Sequence, residues 1–239
     1  MFASDRGNDW SSFVSLPSAE MGASFVNYHL RTSDADAVVH AAQERVAMRA
    51  YVSPAHHDGW VTLYDETSDT LGPSEVDRLS HDLSLALHVP LLAFLVDDSS
   101  LFAYYLFDDE GCLIDEYNSA PAMFAMPGSP DVHQRFAGQP VLLEQYCRPG
   151  ADLVELHQTL SAGRNSVEGG FACTVPAEER VRQLAVLLGL HERRAMLGFN
   201  LFQMAPDTLH DARQFTLIHS RRRPRNPRNL VLPRIPPKR

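Results

Sequence analysis

The first half of the chain alternates short apolar runs with two segments of helical periodicity. Six runs have the length and the β-branched or aromatic content that are typical of strands. They cover residues 25–30, 48–53, 60–64, 90–96, 101–107 and 112–117. The helical segments follow the first and the third run. The predicted order is therefore β-α-β-β-α-β, followed by two further strands.

Each helical segment starts with a serine that has a carboxylate three residues later. These pairs are Ser33 with Asp36 and Ser74 with Asp77, and their spacing is that of a capping box. Apolar residues then recur at spacings of three and four positions, which gives each helix one face for packing on a sheet. We therefore predict helix N-caps at the two serines.

Two β-α-β halves joined by a hairpin are the pattern of a ferredoxin-like sheet, so the predicted fold class is α+β, with a two-strand extension. With the usual strand order and the extra strands added outward, the sheet order is 6-5-4-1-3-2. The C-terminal ends of the third, fourth and sixth strands then share one edge. We predict an acidic binding surface there, formed by Asp65, Glu66, Asp97, Asp98, Asp115 and Glu116. The opposite end is predicted to hold Arg31, His56, His57, Asp58, Asp108, Asp109 and Glu110.

The second half has a different texture, with helices and proline-rich loops. Helices are predicted over residues 141–147, 149–160, 177–188 and 191–202, where proline starts and glycine stops support the second and third. We divide the chain into a loose arm (1–20), a ferredoxin-like part (21–119), a helical part (120–219) and a basic, disordered tail (220–239). The helical part is either a separate subdomain or a lid over the open face of the sheet.

Charge is distributed unevenly along the chain. The net charge is -9, but residues 221–239 contain eight basic residues and no acidic one. Without those eight charges the body carries -17, which favours basic protein partners and disfavours nucleic acid. The tail has the opposite preference, and Arg221, Arg222, Arg223 and Arg225 are its candidate polyanion contacts.

The run His56-His57-Asp58 is the clearest candidate for chemistry. Imidazoles beside a carboxylate form a metal corner or a general base with its orienting group. A zinc site would need a further ligand, and Asp108, Glu110 or His29 are the candidates from other strands. The alternative is a hairpin turn with exposed imidazoles.

Three strand-end segments carry a resemblance. Residues 59–66 (GWVTLYDE), 94–99 (FLVDDS) and 114–119 (IDEYNS) resemble a pattern found in uncharacterised bacterial proteins that have no assigned activity. The resemblance covers roughly a quarter of the chain. It implies the sheet described above and no catalytic residue.

Several classes of function lack their sequence signals. No apolar run reaches the roughly 18 residues of a membrane helix, and the N-terminus has no secretory pattern, so we expect a cytoplasmic protein. Three cysteines without close pairing disfavour a disulfide framework, and phosphate and dinucleotide fingerprints are missing, so we expect no cofactor. The sequence predicts a non-enzymatic interaction or regulatory module of the immunity or sensor type. The alternatives are a metal-assisted hydrolase that uses His56, His57 and Asp58, and tail-mediated association with nucleic acid or membranes.

Overall fold

The computed structural model describes residues 22–121, 132–161 and 175–221. In these ranges the fold is α+β, with seven strands in one sheet. The strands are β1 Phe25–Leu30, β2 Arg49–Val52, β3 Val61–Asp65, β4 Leu91–Asp97, β5 Leu101–Phe107, β6 Leu113–Asn118 and β7 Thr216–His219. The six strands expected from the apolar runs are all present, with bounds that shift by at most one residue at either end.

The strands lie in the order β6-β5-β4-β1-β3-β2-β7, and every neighbouring pair is antiparallel. The first six have the order written above for them. Strand β7 is an addition that the sequence analysis did not predict. It pairs with β2, with Ala50 opposite Ile218, and only Ile218 of its four residues is buried.

The first half contains two α-helices, α1 Ala35–Gln43 after β1 and α2 Pro73–Leu87 after β3. Neither begins as predicted. The N-cap of α1 is Asp34, whose carboxylate accepts a hydrogen bond from the backbone N–H of Ala37. The N-cap of α2 is Gly72, without a side-chain cap, because Pro73 has the fixed φ that suits the first helical position and places the serine inside the helix.

The second half contains six helices within the described ranges. They are α3 Val132–Arg135, α4 Pro140–Glu144, α5 Leu153–Ser161, α6 Ala177–Leu188, α7 Glu192–Ala195 and α8 Phe199–Met204. Helix α6 has the predicted bounds. The helix predicted over 191–202 is wrong, since α7 and α8 are separate short helices with a break before Gly198, which is the extended N-cap of α8.

The sheet lies between two helical layers. On one face, Val38 of α1 and Leu79 of α2 pack against Val26 and Leu63. On the other face, Leu184 of α6 packs in one apolar cluster with residues of β4 and β5. The helical second half therefore covers the second face of the sheet.

Some predictions fall outside the described residues, namely the arm over 1–20 and the tail beyond Arg221. Among the helices that the structure does describe, none is both long enough and apolar enough to cross a membrane.

Candidate metal site

The His56-His57-Asp58 corner lies in the loop that connects β2 to β3. The loop closes through a hydrogen bond from the backbone N–H of His56 to the carbonyl of Trp60, at 2.7 Å, and another from Gly59 to the carbonyl of His56, at 2.9 Å. Gly59 has a φ of 77°, a left-handed conformation that glycine adopts at low cost. This tight turn directs three adjacent side chains into one small region.

The three side chains of the corner lie within ligand distance of one another. Nε2 of His57 is 3.1 Å from Oδ2 of Asp58, and Nδ1 of His56 is 4.0 Å from the same oxygen. One ligand atom from each residue lies within 4.8 Å of the others. Two ligand atoms on one tetrahedral zinc ion lie about 3.4 Å apart, given metal–ligand distances near 2.1 Å. The corner therefore needs only small side-chain adjustments to hold a metal ion.

The three residues differ in exposure. The side chain of His57 is 75% exposed, whereas those of Asp58 and His56 are 31% and 17% exposed. The imidazole planes of His56 and His57 are adjacent, with centroids 3.8 Å apart. One ligand thus remains open to solvent, so an ion can enter the corner without any movement of the backbone.

The helical half contacts this corner at the end of α6. The carbonyl oxygen of Gly189 is 3.2 Å from Nδ1 of His56, and Gly189 has a φ of 69°. A Cβ at this position would lie 2.8 Å from Oδ2 of Asp58. Glycine is therefore required here for both conformation and close approach.

His191 lies two residues further along, at the N-cap of α7. Its ring centroid is 5.4 Å from that of His56, with the two planes near perpendicular. Its Nδ1 is buried and has no hydrogen-bond partner among the described residues. The helical half thus adds a third imidazole to the region.

Two imidazoles of this region favour the neutral, metal-binding form. Burial lowers the pKa of His56, and the neighbouring His57 lowers it further. Burial also lowers the pKa of His191, with Arg194 as the next cause. Neutral imidazole carries the lone pair that a metal requires, so protons compete weakly with a metal near neutral pH.

Arginines hold the scaffold around the corner. Arg31 donates from Nη1 to the carbonyl oxygen of Asp58, at 2.5 Å. The buried guanidinium of Arg194 donates to the carbonyl of Pro54, at 2.7 Å, and pairs with Asp211. These bonds leave the carboxylate of Asp58 to the histidines and fix the loop in place. Since Nδ1 of His56 faces the carbonyl of Gly189 and donates to it, Nε2 is the nitrogen of this ring that can bind a metal.

The further ligands that the sequence suggested lie elsewhere. His29 is buried in β1, where its Nδ1 is 3.1 Å from Oγ1 of Thr62. Asp108 and Glu110 lie in the turn between β5 and β6, and the carboxylate of Asp108 accepts from the backbone of that turn. Strands β4 and β1 separate this turn from the corner. These residues share one end of the sheet with the corner but do not converge on it.

The predicted acidic edge does not form one cluster. Asp65 and Asp97 lie at the same end of the sheet, because β3 and β4 both run antiparallel to β1. Asp115 and Glu116 lie within β6, opposite Leu106 and Tyr105. Both positions already fall inside the strand predicted over 112–117, and β6 ends at Asn118, so these two carboxylates stand back from the end of the sheet that holds Asp65 and Asp97.

Each of these carboxylates also has a partner of its own. Asp65 accepts from the backbone N–H and hydroxyl of Ser68, and burial raises its pKa to about 6. Glu66 pairs with Arg49 at 2.5 Å, which lowers the pKa of Glu66.

The carboxylates of β6 are paired too. Asp115 accepts from the hydroxyl of Tyr104, at 2.6 Å, and Glu116 pairs with Arg135 at 2.8 Å. Four carboxylates therefore form local interactions that stabilise the fold: Asp65, Glu66, Asp115 and Glu116.

Asp97 and Asp98 lie in and beside the turn between β4 and β5, where the carboxylate of Asp97 accepts from the hydroxyl of Ser24 and that of Asp98 from the backbone N–H of Gly22, both at 3.1 Å. The hydroxyl of Ser99 in this turn donates to Glu178 in the first turn of α6. The backbone N–H of Ala177 donates to the carbonyl of Ser99, at 3.1 Å. A smaller acidic patch therefore forms from Asp97, Asp98 and Glu178.

Of the four predicted polyanion contacts, only Arg221 lies in the described part of the chain. Its backbone N–H donates to the carbonyl of Gln43, at 2.8 Å, and its guanidinium is 3.6 Å from Glu44. Arg222, Arg223 and Arg225 lie outside the described residues. The start of the tail thus lies beside the end of α1.

Sequence reasoning missed His191 and Glu178, because both reach their sites from the helical half. Glu178 had a partial signal, as an acidic residue in the first turn of a predicted helix. His191 had none, since nothing in its neighbourhood specifies contact with a distant hairpin. Comparison of this chain with protein families, with curated proteins and with solved structures found no match.

Proposed function

We propose that this chain is a metal-binding module of the sensor or regulatory type, with its site at His56, His57 and Asp58. The observation that supports this proposal most directly is the convergence of one ligand atom from each residue within 4.8 Å. Two imidazoles and a carboxylate suit a borderline divalent cation such as Zn²⁺. The scaffold is proposed to be an extended ferredoxin-like sheet, a fold that serves many unrelated functions and therefore does not itself select one.

Zinc titration of the chelator-treated full chain tests the proposal. We expect one Zn²⁺ per chain by isothermal titration calorimetry, and at least about tenfold weaker binding in His57→Ala, since even outer-shell changes at metal sites have effects of this size. His57 is suited to this test because its side chain is mostly exposed. His40→Ala removes another exposed histidine, on α1, and serves as the matched control. Equal binding by His57→Ala and the wild type would overturn the proposal.

The same zinc-loaded protein also tests the alternative function, a metal-assisted hydrolase. A hydrolytic zinc site keeps a coordination position for water and lowers the pKa of that water. Zinc-dependent cleavage of an activated ester, lost in His57→Ala and retained in His40→Ala, would favour the enzyme. Zinc binding without such cleavage would favour the sensor.

A second candidate is binding of a basic protein partner at the acidic patch of Asp97, Asp98 and Glu178. The contact of α6 with the β4–β5 turn supports it, because this contact places carboxylates from two elements side by side. The charge of -17 on the body adds a long-range attraction for a basic partner.

Binding of a fluorescent oligo-lysine peptide tests the second candidate. We expect the double variant Asp97→Asn and Asp98→Asn to bind several-fold more weakly at low salt, since rim charges chiefly affect attraction at low ionic strength. The matched control is Asp108→Asn with Asp109→Asn, which removes the same charge at the other end of β5. Equal losses in both variants would assign the binding to net charge and contradict the patch.

A further inference from the structure

The site at the hairpin corner lies against the helical half of the molecule. Besides the contact of Gly189 with His56, the indole N–H of Trp60 donates to the carbonyl of Leu188, at 3.0 Å. The hairpin and the end of α6 therefore hold a fixed relation to each other. Any ion bound at the corner lies at the junction of the two parts.

His191 is held at this junction by its backbone. Helix α6 ends in the left-handed Gly189, and the N–H of Leu190 bonds back to the carbonyl of Ala185, at 2.8 Å. The carbonyl of His191 then accepts from Ala195, at 3.0 Å. The imidazole thus projects from a fixed point toward His56, with its centroid 5.4 Å away.

The buried Nδ1 of His191 is an observation independent of the three-residue corner. A buried ring nitrogen without a partner from another residue is unfavourable, since it has lost water and its own backbone offers only a local contact. Coordination to a metal would satisfy it. His191 is outside the group of ligand atoms that lie within 4.8 Å of one another, so coordination would need a rotation of its side chain toward His56.

We propose that His191 is the fourth ligand of the metal, so that Zn²⁺ joins the β2–β3 hairpin to the helical half. This inference rests on the proposed metal site. Three imidazoles and one carboxylate would fill all four tetrahedral positions, and structural zinc sites are closed in the same way although they use mostly cysteine ligands. Occupancy would then control how firmly the α6–α7 segment is held on the sheet, which is a means of signalling metal concentration.

The charges that face His191 are compatible with this role. Arg194 and Arg193 lie close enough to disfavour its protonation, while Asp211 acts in the opposite sense. Arg194 is itself paired with Asp211. The cation nearest to the imidazole is therefore partly neutralised before a metal enters.

Zinc titration of full-length variants separates the fourth ligand from the three-residue site. We expect His191→Ala and His57→Ala each to weaken zinc binding by about tenfold or more, with His40→Ala unchanged. A loss in His57→Ala alone would overturn the role of His191 and leave the three-residue site standing. A loss in His191→Ala alone, or in neither variant, would overturn the three-residue site itself and the inference with it.

Hydrogen exchange measured by mass spectrometry tests the consequence. Zinc is expected to slow amide exchange over residues 177–195 in the wild type and not in His191→Ala. Tight zinc binding that leaves amide exchange in this segment unchanged would overturn the proposal that zinc joins the hairpin to the helical half.

Cobalt substitution of the wild type provides a test without any mutation, in case His191→Ala fails to fold. A closed set of four protein ligands is expected to give the intense visible bands of tetrahedral Co²⁺. Weak bands typical of five or six ligands would overturn the four-ligand assignment.

Discussion

The two faces of the sheet are covered in different ways. Against α1 and α2 the contacts are mostly apolar, and the buried polar groups there bond locally: Tyr28, Asp65 and Ser68 form one group, and Ser84 of α2 donates to the carbonyl of Val89. Against the helical half, polar side chains of the sheet donate to backbone carbonyls far away in the sequence. Asn27 donates to Ala195 and to Leu197, both at 2.8 Å, and Trp60 donates to Leu188.

The difference indicates what each face requires. An apolar stripe on a helix can pack on a sheet in many positions, so the first face depends on periodicity and volume. Directed hydrogen bonds fix one position, because a shift leaves buried donors and carbonyls unpaired. The helical half is therefore held on the second face in one position, and a ligand bound at this face would respond to that position. The candidate metal corner lies at the margin of this face.

Each face also buries a group whose protonation is linked to stability in the acidic range, and these two groups have opposite effects. His29 faces the helical half, where burial lowers its pKa from 6.5 to about 3, with Arg194 as a further cause. Asp65 faces α1 and α2, where burial raises its pKa from 3.8 to about 6. Their titrations provide a separate measure of each face.

The largest expected effect is acid destabilisation through His29. Below pH 6.5 the unfolded chain protonates this residue while the folded chain does not, so its contribution is present above pH 6.5 and is lost as the pH falls toward 3. The full loss is about 5 kcal/mol. His29→Gln removes it, so in urea unfolding the stability of this variant relative to that of the wild type should rise as the pH falls from 7 to 4. His40→Gln, at an exposed position, should keep the wild-type profile, and a wild-type profile in His29→Gln would contradict the prediction.

The next effect has the opposite sign and belongs to Asp65. Between pH 4 and pH 6 the folded chain keeps this carboxyl protonated while the unfolded chain ionises it. Stability therefore falls as the pH rises through this window, by about 3 kcal/mol in total. In the same unfolding experiment, the stability of Asp65→Asn relative to that of the wild type should therefore be higher at pH 7 than at pH 4, by about 3 kcal/mol.

The two effects nearly cancel in the wild type between pH 4 and pH 6, since one group favours higher pH and the other lower pH. Asp65→Asn should therefore be steeper on the acid side than the wild type, and His29→Gln should slope the other way. Asp109→Asn, which removes an exposed carboxylate, should leave the profile unchanged. Parallel profiles for the wild type and both buried variants would contradict the assignment of one group to each face.

The first face is also the part of the molecule that the sequence predicted well. Strand runs and helix stripes repeat locally, so a few neighbouring residues suffice to place β1, α1 and the hairpin. The helix starts were missed, because Asp34 and Pro73 competed successfully with the serines as the determinants of the first turn. Strand β7 was missed because its four residues gain their order from pairing with β2.

The candidate site was predicted in part for the same reason. His56, His57 and Asp58 are consecutive, and their convergence follows from one tight turn. His191 depends on the packing of α6 against the hairpin, a long-range contact that no local pattern specifies. The acidic edge depends on strand register: Asp65 and Asp97 share one end of the sheet, whereas the register of β6 keeps Asp115 inside the strand.

The smallest expected effect tests the directed bonds of the second face. Trp60→Phe keeps most of the apolar volume but removes the donor to Leu188, at a cost of about 1–3 kcal/mol for the carbonyl that is left unpaired. Tyr28→Phe is the matched variant on the first face, where it removes the hydroxyl that bonds to Ser68 at 2.5 Å. Urea unfolding should show similar losses of stability, whereas hydrogen exchange over residues 177–188 should accelerate only in Trp60→Phe. Equal acceleration in both variants would mean that the helical half responds to global stability, and the proposed difference between the faces would not hold.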